Sequence, residues 1–279
     1  MPDRAVLLDL DNTLLLEDDS TFAALRQACD VGRERAGVDP EALCAAIVQS
    51  AQELWQMSSI YRYAEAMGIW WGEGLWGDFS GDASGLADIR SFVSGFRAGA
   101  WRVALGAVGV TDDRLAGELA DAYRTARRTG QLVDPDAEPV VADLARDHVL
   151  ALVTNGAPGV QRAKLATTSL APRFKAIVIS AEVGIGKPEP GIFQIALDAL
   201  RAGADDAVMV GDSLGRDVAG ARRAGIRAIH LDRGSHETLA GPPPVPDAVI
   251  RSLRELRPAL AALAPDGASP RGSREPHPA

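Results

Sequence analysis

The chain has 279 residues, of which 47% are hydrophobic and 24% charged, and its formal net charge is −9 at pH 7. This balance is typical of a globular protein with one large or two modest domains. The acidic charge and the lack of a long basic run argue against a nucleic-acid partner. No apolar run is long enough for a membrane span, and no signal peptide is visible. The two cysteines, Cys29 and Cys44, have no metal-ligand spacing, so we expect a reducing, cytoplasmic compartment. We expect the protein to be a monomer or a homodimer.

The first predicted element is a buried strand over residues 5–8, and two aspartates follow it directly. Asp9 and Asp11 would repel each other and lose hydration at the end of such a strand. Either a positive charge compensates them, or the strand ends at a solvated, functional crevice. The alternative is an ordinary Asx-type turn, because Asp, Asn and Thr all favour turns.

Residues 20–128 have a helical pattern, with Ser20 and Asp39 as candidate helix caps and Thr111-Asp112-Asp113 as the start of a further helix. The stretch "GIWWGEGLWGDFSGD" (68–82) interrupts this pattern and predicts a structured loop. Its glycine-spaced tryptophans belong either to the core of the helical segment or to the mouth of a substrate site. They are Trp70, Trp71 and Trp76.

After residue 134, short apolar runs at 148–153, 176–179, 207–210 and 228–231 alternate with helical patterns. This alternation predicts a parallel sheet covered by helices, which strand 5–8 should join. The helical segment is then an insertion. We predict a catalytic core over 1–16 and 131–263, a helical cap over 17–130, and a disordered tail over 264–279.

Polar clusters follow the predicted strands: Thr154-Asn155 after the second and Asp212-Ser213 after the fourth. The carboxyl ends of parallel strands meet at one crevice, so these side chains and the two aspartates should lie together. Lys187 follows the third strand. It is one of only three lysines among 29 basic residues, so its placement is informative.

Four motifs carry a family resemblance: "DLDNT" (9–13), "VTNG" (153–156), "GKPEP" (186–190) and "GDSLGRD" (211–217). In this order and at these strand ends, the chain resembles the haloacid dehalogenase-like hydrolase superfamily over roughly residues 5–235. The resemblance implies an α/β fold: a Rossmann-like three-layer α/β/α core with a parallel sheet of order 3-2-1-4-5. It also implies a helical cap inserted after the first motif.

The resemblance also implies roles for the site residues. Asp9 would be the nucleophile that forms an acyl phosphate, and Asp11 the general acid and base. Mg²⁺ would be held by Asp9, Asp212 and the backbone carbonyl of Asp11. Lys187 would neutralise Asp9 and the phosphoryl group.

The remaining motif residues would surround this centre. Thr154 would donate a hydrogen bond to a phosphoryl oxygen, and backbone amides around Asn12 and Asn155 would complete the phosphate cradle. Asp217 would orient Lys187 or a water on the metal, and Ser213 would be a turn or capping residue behind the ligands.

The branch of the family follows from two residue types. Haloacid dehalogenases lack an aspartate two residues after the nucleophile. Because Asp11 lies two residues after Asp9, this chain is not expected to be one. All three lysines lie outside the predicted cap, which speaks against a Schiff-base phosphonate hydrolase. We therefore predict a phosphatase of a small phosphorylated metabolite. A phosphoglucomutase-like phosphotransferase and a non-catalytic binding protein remain alternatives.

Overall fold

A computed structural model describes residues 4–83, 85–234, 239 and 241–263 of the chain. The strands are β1 (Arg4–Leu8), β2 (His148–Thr154), β3 (Ala176–Ile179), β4 (Ala207–Gly211), β5 (Arg227–Leu231) and β6 (Ala248–Ile250). Helices of the segment between β1 and β2 are α1 (Glu17–Ala36), α2 (Pro40–Gln56), α3 (Tyr61–Met67), α4 (Trp71–Gly74), α5 (Leu86–Ala107), α6 (Asp113–Thr129) and α7 (Ala137–Leu144). The later helices are α8 (Pro158–Leu165), α9 (Ser180–Val183), α10 (Pro190–Leu200), α11 (Ala219–Arg223) and α12 (Leu256–Ala262).

The six described strands form one parallel sheet of order β3-β2-β1-β4-β5-β6. Strand β1 pairs on one side with β2 and on the other with β4, so that Leu8 lies opposite both Leu152 and Val210. The predicted order 3-2-1-4-5 is confirmed, and β6 extends it beyond β5. This last strand has only three residues, too short an apolar run to mark a strand in the sequence.

Each face of the sheet has its own hydrophobic core, as alternation along a strand requires. Val6 and Leu8 of β1 lie in one cluster, with residues of α7 and α12. Ala5 and Leu7 point to the other face and join residues of α10 and α11. Helices therefore cover both faces, which confirms the predicted three-layer α/β/α core.

Helices α1 to α6 pack around a third hydrophobic core. The chain enters and leaves this segment side by side, since Leu16 N donates to Leu132 O and Asp134 N to Leu14 O, both at 3.0 Å. This pairing supports the proposed division into a cap over 17–130 and a core over 1–16 and 131–263. From here on, "the insert" means residues 17–130.

The helix caps of the insert test the local predictions. Asp39 and Asp112 cap α2 and α6 by accepting the backbone N–H of the residue three positions later. The predicted Ser20 cap is wrong: α1 begins at Glu17, and Ser20 Oγ instead donates to Leu16 O at 2.6 Å. Three acidic residues, Glu17, Asp18 and Asp19, occupy the first turn and interact favourably with the helix dipole there.

The glycine-tryptophan stretch contains one short helix, α4, in place of a pure loop.

The predicted disordered tail over 264–279 lies outside the described residues. Within the described part of the chain, no helix combines the length and apolarity that crossing a bilayer requires.

Candidate active site

The carboxyl ends of β1, β2 and β4 open into a cavity of about 390 Å³. All nine predicted site residues line it: Asp9, Asp11, Asn12, Thr154, Asn155, Lys187, Asp212, Ser213 and Asp217. The topology explains this convergence, because β1 lies between β2 and β4 and all three strands run in the same direction. The insert contributes Glu17, Asp18, Gly68, Ile69 and Trp70 to the wall.

Lys187 joins two carboxylates at the floor of the cavity. Its Nζ donates to Asp9 Oδ1 at 2.5 Å and to Asp217 Oδ1 at 2.7 Å. Burial opposes the charge on Lys187, but the two carboxylates raise its pKa above the ordinary value, so the lysine stays cationic. Burial raises the pKa of Asp9 to about 7 against the attraction of Lys187, and the nearby Asp217 charge adds to the rise.

Thr13 connects Asp9 to Asp212. Its buried hydroxyl donates to Asp9 Oδ2 at 3.2 Å, lies 3.4 Å from Asp212 Oδ1, and accepts the backbone N–H of Asp212 at 3.2 Å. Burial, and then the charges of Asp9 and Asp217, raise the pKa of Asp212 well above its usual range. Carboxylate oxygens of Asp9, Asp212 and Asp217 all lie within 4.8 Å of one another. One lysine thus faces three carboxylates.

Asp11 is held by two residues of α8. Lys164 Nζ lies 3.0 Å from each carboxylate oxygen, and Gln161 Nε2 donates to Asp11 Oδ2 at 2.9 Å. Gln161 Nε2 also lies 2.7 Å from Thr154 Oγ1. Neither α8 residue was predicted as a site residue.

Asn155 holds the Lys187 loop in place with its side chain. Asn155 Oδ1 accepts the N–H of Lys187 at 2.8 Å, and Asn155 Nδ2 donates to Lys187 O at 2.9 Å. This two-point contact fixes the backbone from which the Lys187 side chain extends to Asp9. The predicted role of Asn155 at the phosphate stays a prediction.

Asn12 occupies the turn after β1 in the left-handed conformation, with φ 58°. This conformation is rare for most residues but tolerated by Asn. Asn12 Oδ1 accepts the N–H of Asp18, and Arg233 donates to the carbonyls of Asn12 and Thr13 at 3.0 and 2.8 Å. Arg233 thereby fixes the turn that carries both aspartates. Sequence reasoning missed Arg233 because it lies 220 residues from Thr13 and 221 from Asn12.

Ser213 and Asp217 line the cavity beside Asp212, and a hydrogen bond joins them. Ser213 Oγ accepts the N–H of Arg216 at 3.0 Å and caps the helical turn over Leu214–Val218. Asp217 Oδ2 accepts the N–H of Ser213 at 3.1 Å while its other oxygen binds Lys187. The interpretation of Ser213 as a capping residue agrees with these contacts.

The insert lies against the core at Gly68. A Cβ atom at this position would lie 2.6 Å from both Asn155 Cβ and Arg216 Nη1, and φ is +68°. Only glycine allows this approach. Of the three glycine-spaced tryptophans, Trp70 lines the cavity, whereas Trp76 is buried with the Arg127 guanidinium 4.9 Å from its ring centroid.

Comparison with known proteins gives a family match over most of the chain. Residues 4–225 match the model of the haloacid dehalogenase-like hydrolases. This chain belongs to that family. The resemblance stated from the four motifs is confirmed, and so is the prediction of a hydrolase.

Several curated relatives are named as phosphatases. The phosphoserine phosphatase of Thermus thermophilus is 40% identical over 91% of this chain and 97% of that protein. The N-acylneuraminate-9-phosphatase of mouse is 32% identical over 54% of this chain and 61% of its own length. The glyceraldehyde 3-phosphate phosphatase of Methanopyrus kandleri is 36% identical over 47% and 58%. These names bear out the predicted class, a phosphoric monoester hydrolase.

Solved structures agree on the fold. The putative hydrolase YfnB of Bacillus subtilis, determined bound to magnesium, superimposes with a TM-score of 0.62 at 23% identity, over 93% of this chain and 99% of that one. A phosphatase of the same family from Thermococcus onnurineus gives a TM-score of 0.56 at 26% identity, over 92% and 97%.

Proposed function

We propose that this chain is a Mg²⁺-dependent phosphatase that hydrolyses a small phosphorylated metabolite through an aspartyl-phosphate on Asp9. One observation carries the proposal: Asp9 lies at the cavity floor 2.5 Å from Lys187, and Asp11 lines the same cavity. Two-step hydrolysis needs this set of groups: a nucleophilic carboxylate, a fixed cation and a second carboxylate that moves protons. The phosphatase names of the relatives support it.

The residues present fit a Mg²⁺ ion. The cavity floor offers hard carboxylate oxygens within 4.8 Å of one another, and burial leaves them short of positive charge. In line with the family resemblance, we assign the ion to Asp9, Asp212 and the backbone carbonyl of Asp11. Asp217 would keep its contacts with Lys187 Nζ and the N–H of Ser213. When bound, Mg²⁺ would neutralise the carboxylates and the phosphoryl group.

The protein side chains perform the two steps. In the first, an oxygen of Asp9 forms a bond to phosphorus, and the bond to the leaving oxygen breaks as Asp11 gives that oxygen its proton. In the second, ionised Asp11 takes a proton from water, whose oxygen attacks phosphorus and releases phosphate from Asp9. Lys187 stays charged throughout and offsets the negative charge that collects at Asp9.

The remaining residues orient the phosphoryl group. We assign Thr154, with the backbone amides around Asn12 and Asn155, to its oxygens, since all three line the cavity. Asp217 orients Lys187 through the 2.7 Å contact between their side chains. The insert would act as a cap that covers the cavity through Gly68, Ile69 and Trp70.

The substrate we propose is a phosphorylated amino acid, with phosphoserine the first to test. The phosphoserine phosphatase relative matches nearly the whole chain. The cavity wall also carries two exposed charges of opposite sign, Asp18 and Arg216. A carboxylate group would pair with Arg216 and an ammonium group with Asp18.

The test of the mechanism compares Asp9→Asn and Asp11→Asn. The first removes the nucleophile, so turnover should vanish. The second should slow turnover about 10²–10⁴-fold, the usual range for a positioned acid–base group, and should let phosphorylated enzyme accumulate from an activated aryl phosphate. Rapid quench and mass spectrometry should locate the adduct on the peptide that contains Asp9. An adduct on Ser213, or equal adduct yields in both variants, would overturn the assignment.

The test of the substrate measures phosphate release from phosphoserine, glyceraldehyde 3-phosphate and p-nitrophenyl phosphate with Mg²⁺. Arg216→Leu should raise KM for phosphoserine about tenfold, the equivalent of one lost interaction of 1.4 kcal/mol. It should leave KM for p-nitrophenyl phosphate unchanged. Equal KM changes for both would remove Arg216 from substrate recognition.

A further inference from the structure

Lys164 is buried at the centre of a group of charged side chains beside the proposed active site. We define the Lys164 cluster as Lys164, Asp11, Glu17, Glu73 and Arg127. The Lys164 side chain is 0% exposed, and its Nζ lies 3.0 Å from both oxygens of Asp11, 2.9 Å from Glu73 Oε1 and 3.3 Å from Glu17 Oε1. Arg127 donates to Glu17 Oε1 at 2.7 Å. Unlike Asp11 and Glu17, Lys164 does not line the cavity.

The cluster joins elements that are distant in the chain. Lys164 and Asp11 belong to α8 and the turn after β1, whereas Glu73 lies on α4 in the insert. Glu17 is the first residue of α1, where the chain enters the insert, and Arg127 lies in the last turn of α6, where it leaves. Lys164 therefore contacts the proposed acid–base residue Asp11 and two residues of the insert, Glu73 and Glu17.

The charges show how strongly the cluster depends on Lys164. Burial raises the pKa of Glu73 to about 7 and also raises that of Glu17, although Lys164 opposes both shifts. Glu17 and Glu73 each leave one buried oxygen without a hydrogen-bond partner among the described residues. Three carboxylates thus share two cations, and only Lys164 touches all three.

Gln161, one helical turn before Lys164, also contacts the Asp11 carboxylate. It lies three residues before Lys164 on α8, so both side chains point to the same face. Gln161 Nε2 contacts Asp11 Oδ2 at 2.9 Å and Asn155 O at 3.0 Å. With three contacts from fixed donors, the Asp11 carboxylate has one defined orientation.

We propose that Lys164 is a positioning residue for Asp11, assisted by Gln161, and that Glu73 makes this positioning depend on the insert. Lys164 lies outside the cavity, and its proposed effect on the reaction passes only through the Asp11 carboxylate that it holds. Loss of Glu73 frees Lys164 on one side, and the orientation of Asp11 loosens. This proposal rests on the proposed function, because it requires Asp11 to move protons.

The test uses the leaving group as the readout. The parameter kcat/KM reports the first step, in which a poor alkyl leaving group needs the proton from Asp11 and p-nitrophenolate does not. In Lys164→Met, kcat/KM for phosphoserine should fall about tenfold to a hundredfold, the scale of a misplaced catalytic group. For p-nitrophenyl phosphate it should stay within about threefold of wild type. Lys175→Met, at a lysine that contacts Leu200 O outside the cluster, is the matched control and should change neither value.

A second variant protects the test against misfolding. The double variant Lys164→Met/Glu73→Gln removes the cation together with one carboxylate, so the net charge of the cluster is preserved. It should fold and show the same discrimination between leaving groups. Glu73→Gln alone should show a smaller discrimination of the same kind.

Combination with Asp11→Asn separates positioning from general damage. If Lys164 acts through Asp11, adding Lys164→Met to Asp11→Asn should lower kcat/KM for phosphoserine no further. Equal losses for both substrates, or an additive loss in the combined variant, would overturn the positioning role and leave the proposed function standing. Absence of leaving-group discrimination in Asp11→Asn itself would instead overturn the proposed function, and the positioning role with it.

Discussion

The chain buries two of its three lysines, Lys187 and Lys164, and it surrounds both with carboxylates. Lys187 contacts Asp9 and Asp217 and faces the cavity, so its charge acts where a phosphoryl group would bind. Lys164 contacts three carboxylates and does not line the cavity. Burial and a raised pKa are common to both lysines and therefore do not distinguish an electrostatic role from a positioning one. The partners of each lysine make that distinction.

The two lysines also bind the molecule together differently. Lys187 links residues of the sheet edge within the core, whereas Lys164 links the core to Glu73 of the insert. Because a buried ion pair that loses one partner leaves an uncompensated charge, removal of either lysine should destabilise the fold by about 3–5 kcal/mol. Only their effects on activity should differ, and those effects test the comparison.

The largest effect should come from Lys187→Met. Without this cation, phosphoryl and carboxylate charges meet at Asp9 with less compensation, so turnover should be lost for phosphoserine and for p-nitrophenyl phosphate alike. The measurement is kcat/KM for both substrates beside Lys164→Met, which should retain the aryl activity. The double variant Lys187→Met/Asp217→Asn removes one carboxylate as well and serves if the single variant is unfolded. If a folded Lys187 variant still hydrolysed p-nitrophenyl phosphate, the two lysines would not differ in their roles as proposed.

A smaller effect should appear when Mg²⁺ is added to the resting enzyme. An ion that binds only the folded state stabilises it by about 2.7 kcal/mol at a hundredfold excess over Kd, which raises the Tm by several degrees. Asp212→Asn should abolish this shift. Asp11→Asn should keep it, because Asp11 would contribute only its backbone carbonyl. The converse result, loss of the shift in Asp11→Asn but not in Asp212→Asn, would contradict the proposed ligands. The Asp11 carboxylate would then be the better candidate for the metal ligand.

The sequence predicts that Lys187 lies among the aspartates at the strand ends, but it does not predict the contacts of Lys164. Asp9 and Asp212 follow apolar runs that become β1 and β4, and the parallel sheet then brings them together. Lys164 lies on a helix, where a charged residue usually faces solvent, and its partner Glu73 is 91 residues away. Only the packing of the insert against α8 seals the contact. The scarcity of lysine, which made Lys187 informative, applied equally to Lys164 and was the one available signal.

Other differences from the sequence-based predictions have equally local causes. Strand β6 has three residues and forms because β5 offers it a free edge, which no pattern within residues 248–250 announces. Helix α1 starts at Glu17, three residues before the predicted cap, because Leu16 is fixed by its pairing with Leu132. In both places the tertiary contact decides the boundary.

The smallest expected effect concerns an exposed ion pair, which provides the contrast to both buried lysines. Arg257 contacts both oxygens of Asp147, at 3.0 and 3.1 Å, and anchors α12 to the segment before β2. Hydrogen bonds from Arg257, assisted by His148, lower the pKa of Asp147 to about 2. A lowered pKa favours the folded state above the ordinary pKa of aspartate and loses this contribution as the pH falls from about 4 towards 2.

Because about half of each side chain is exposed, the contribution should remain below about 1 kcal/mol. Arg257→Gln should therefore lower the free energy of unfolding slightly at pH 6, and its difference from wild type should shrink by pH 3. Urea unfolding at the two pH values measures this. Arg146→Gln, at an exposed arginine just beyond the end of α7 that contacts Asp143, is the matched control and should show a smaller difference. A difference that stays the same at pH 3 would show that Arg257 stabilises the fold by packing and not through the charge of Asp147.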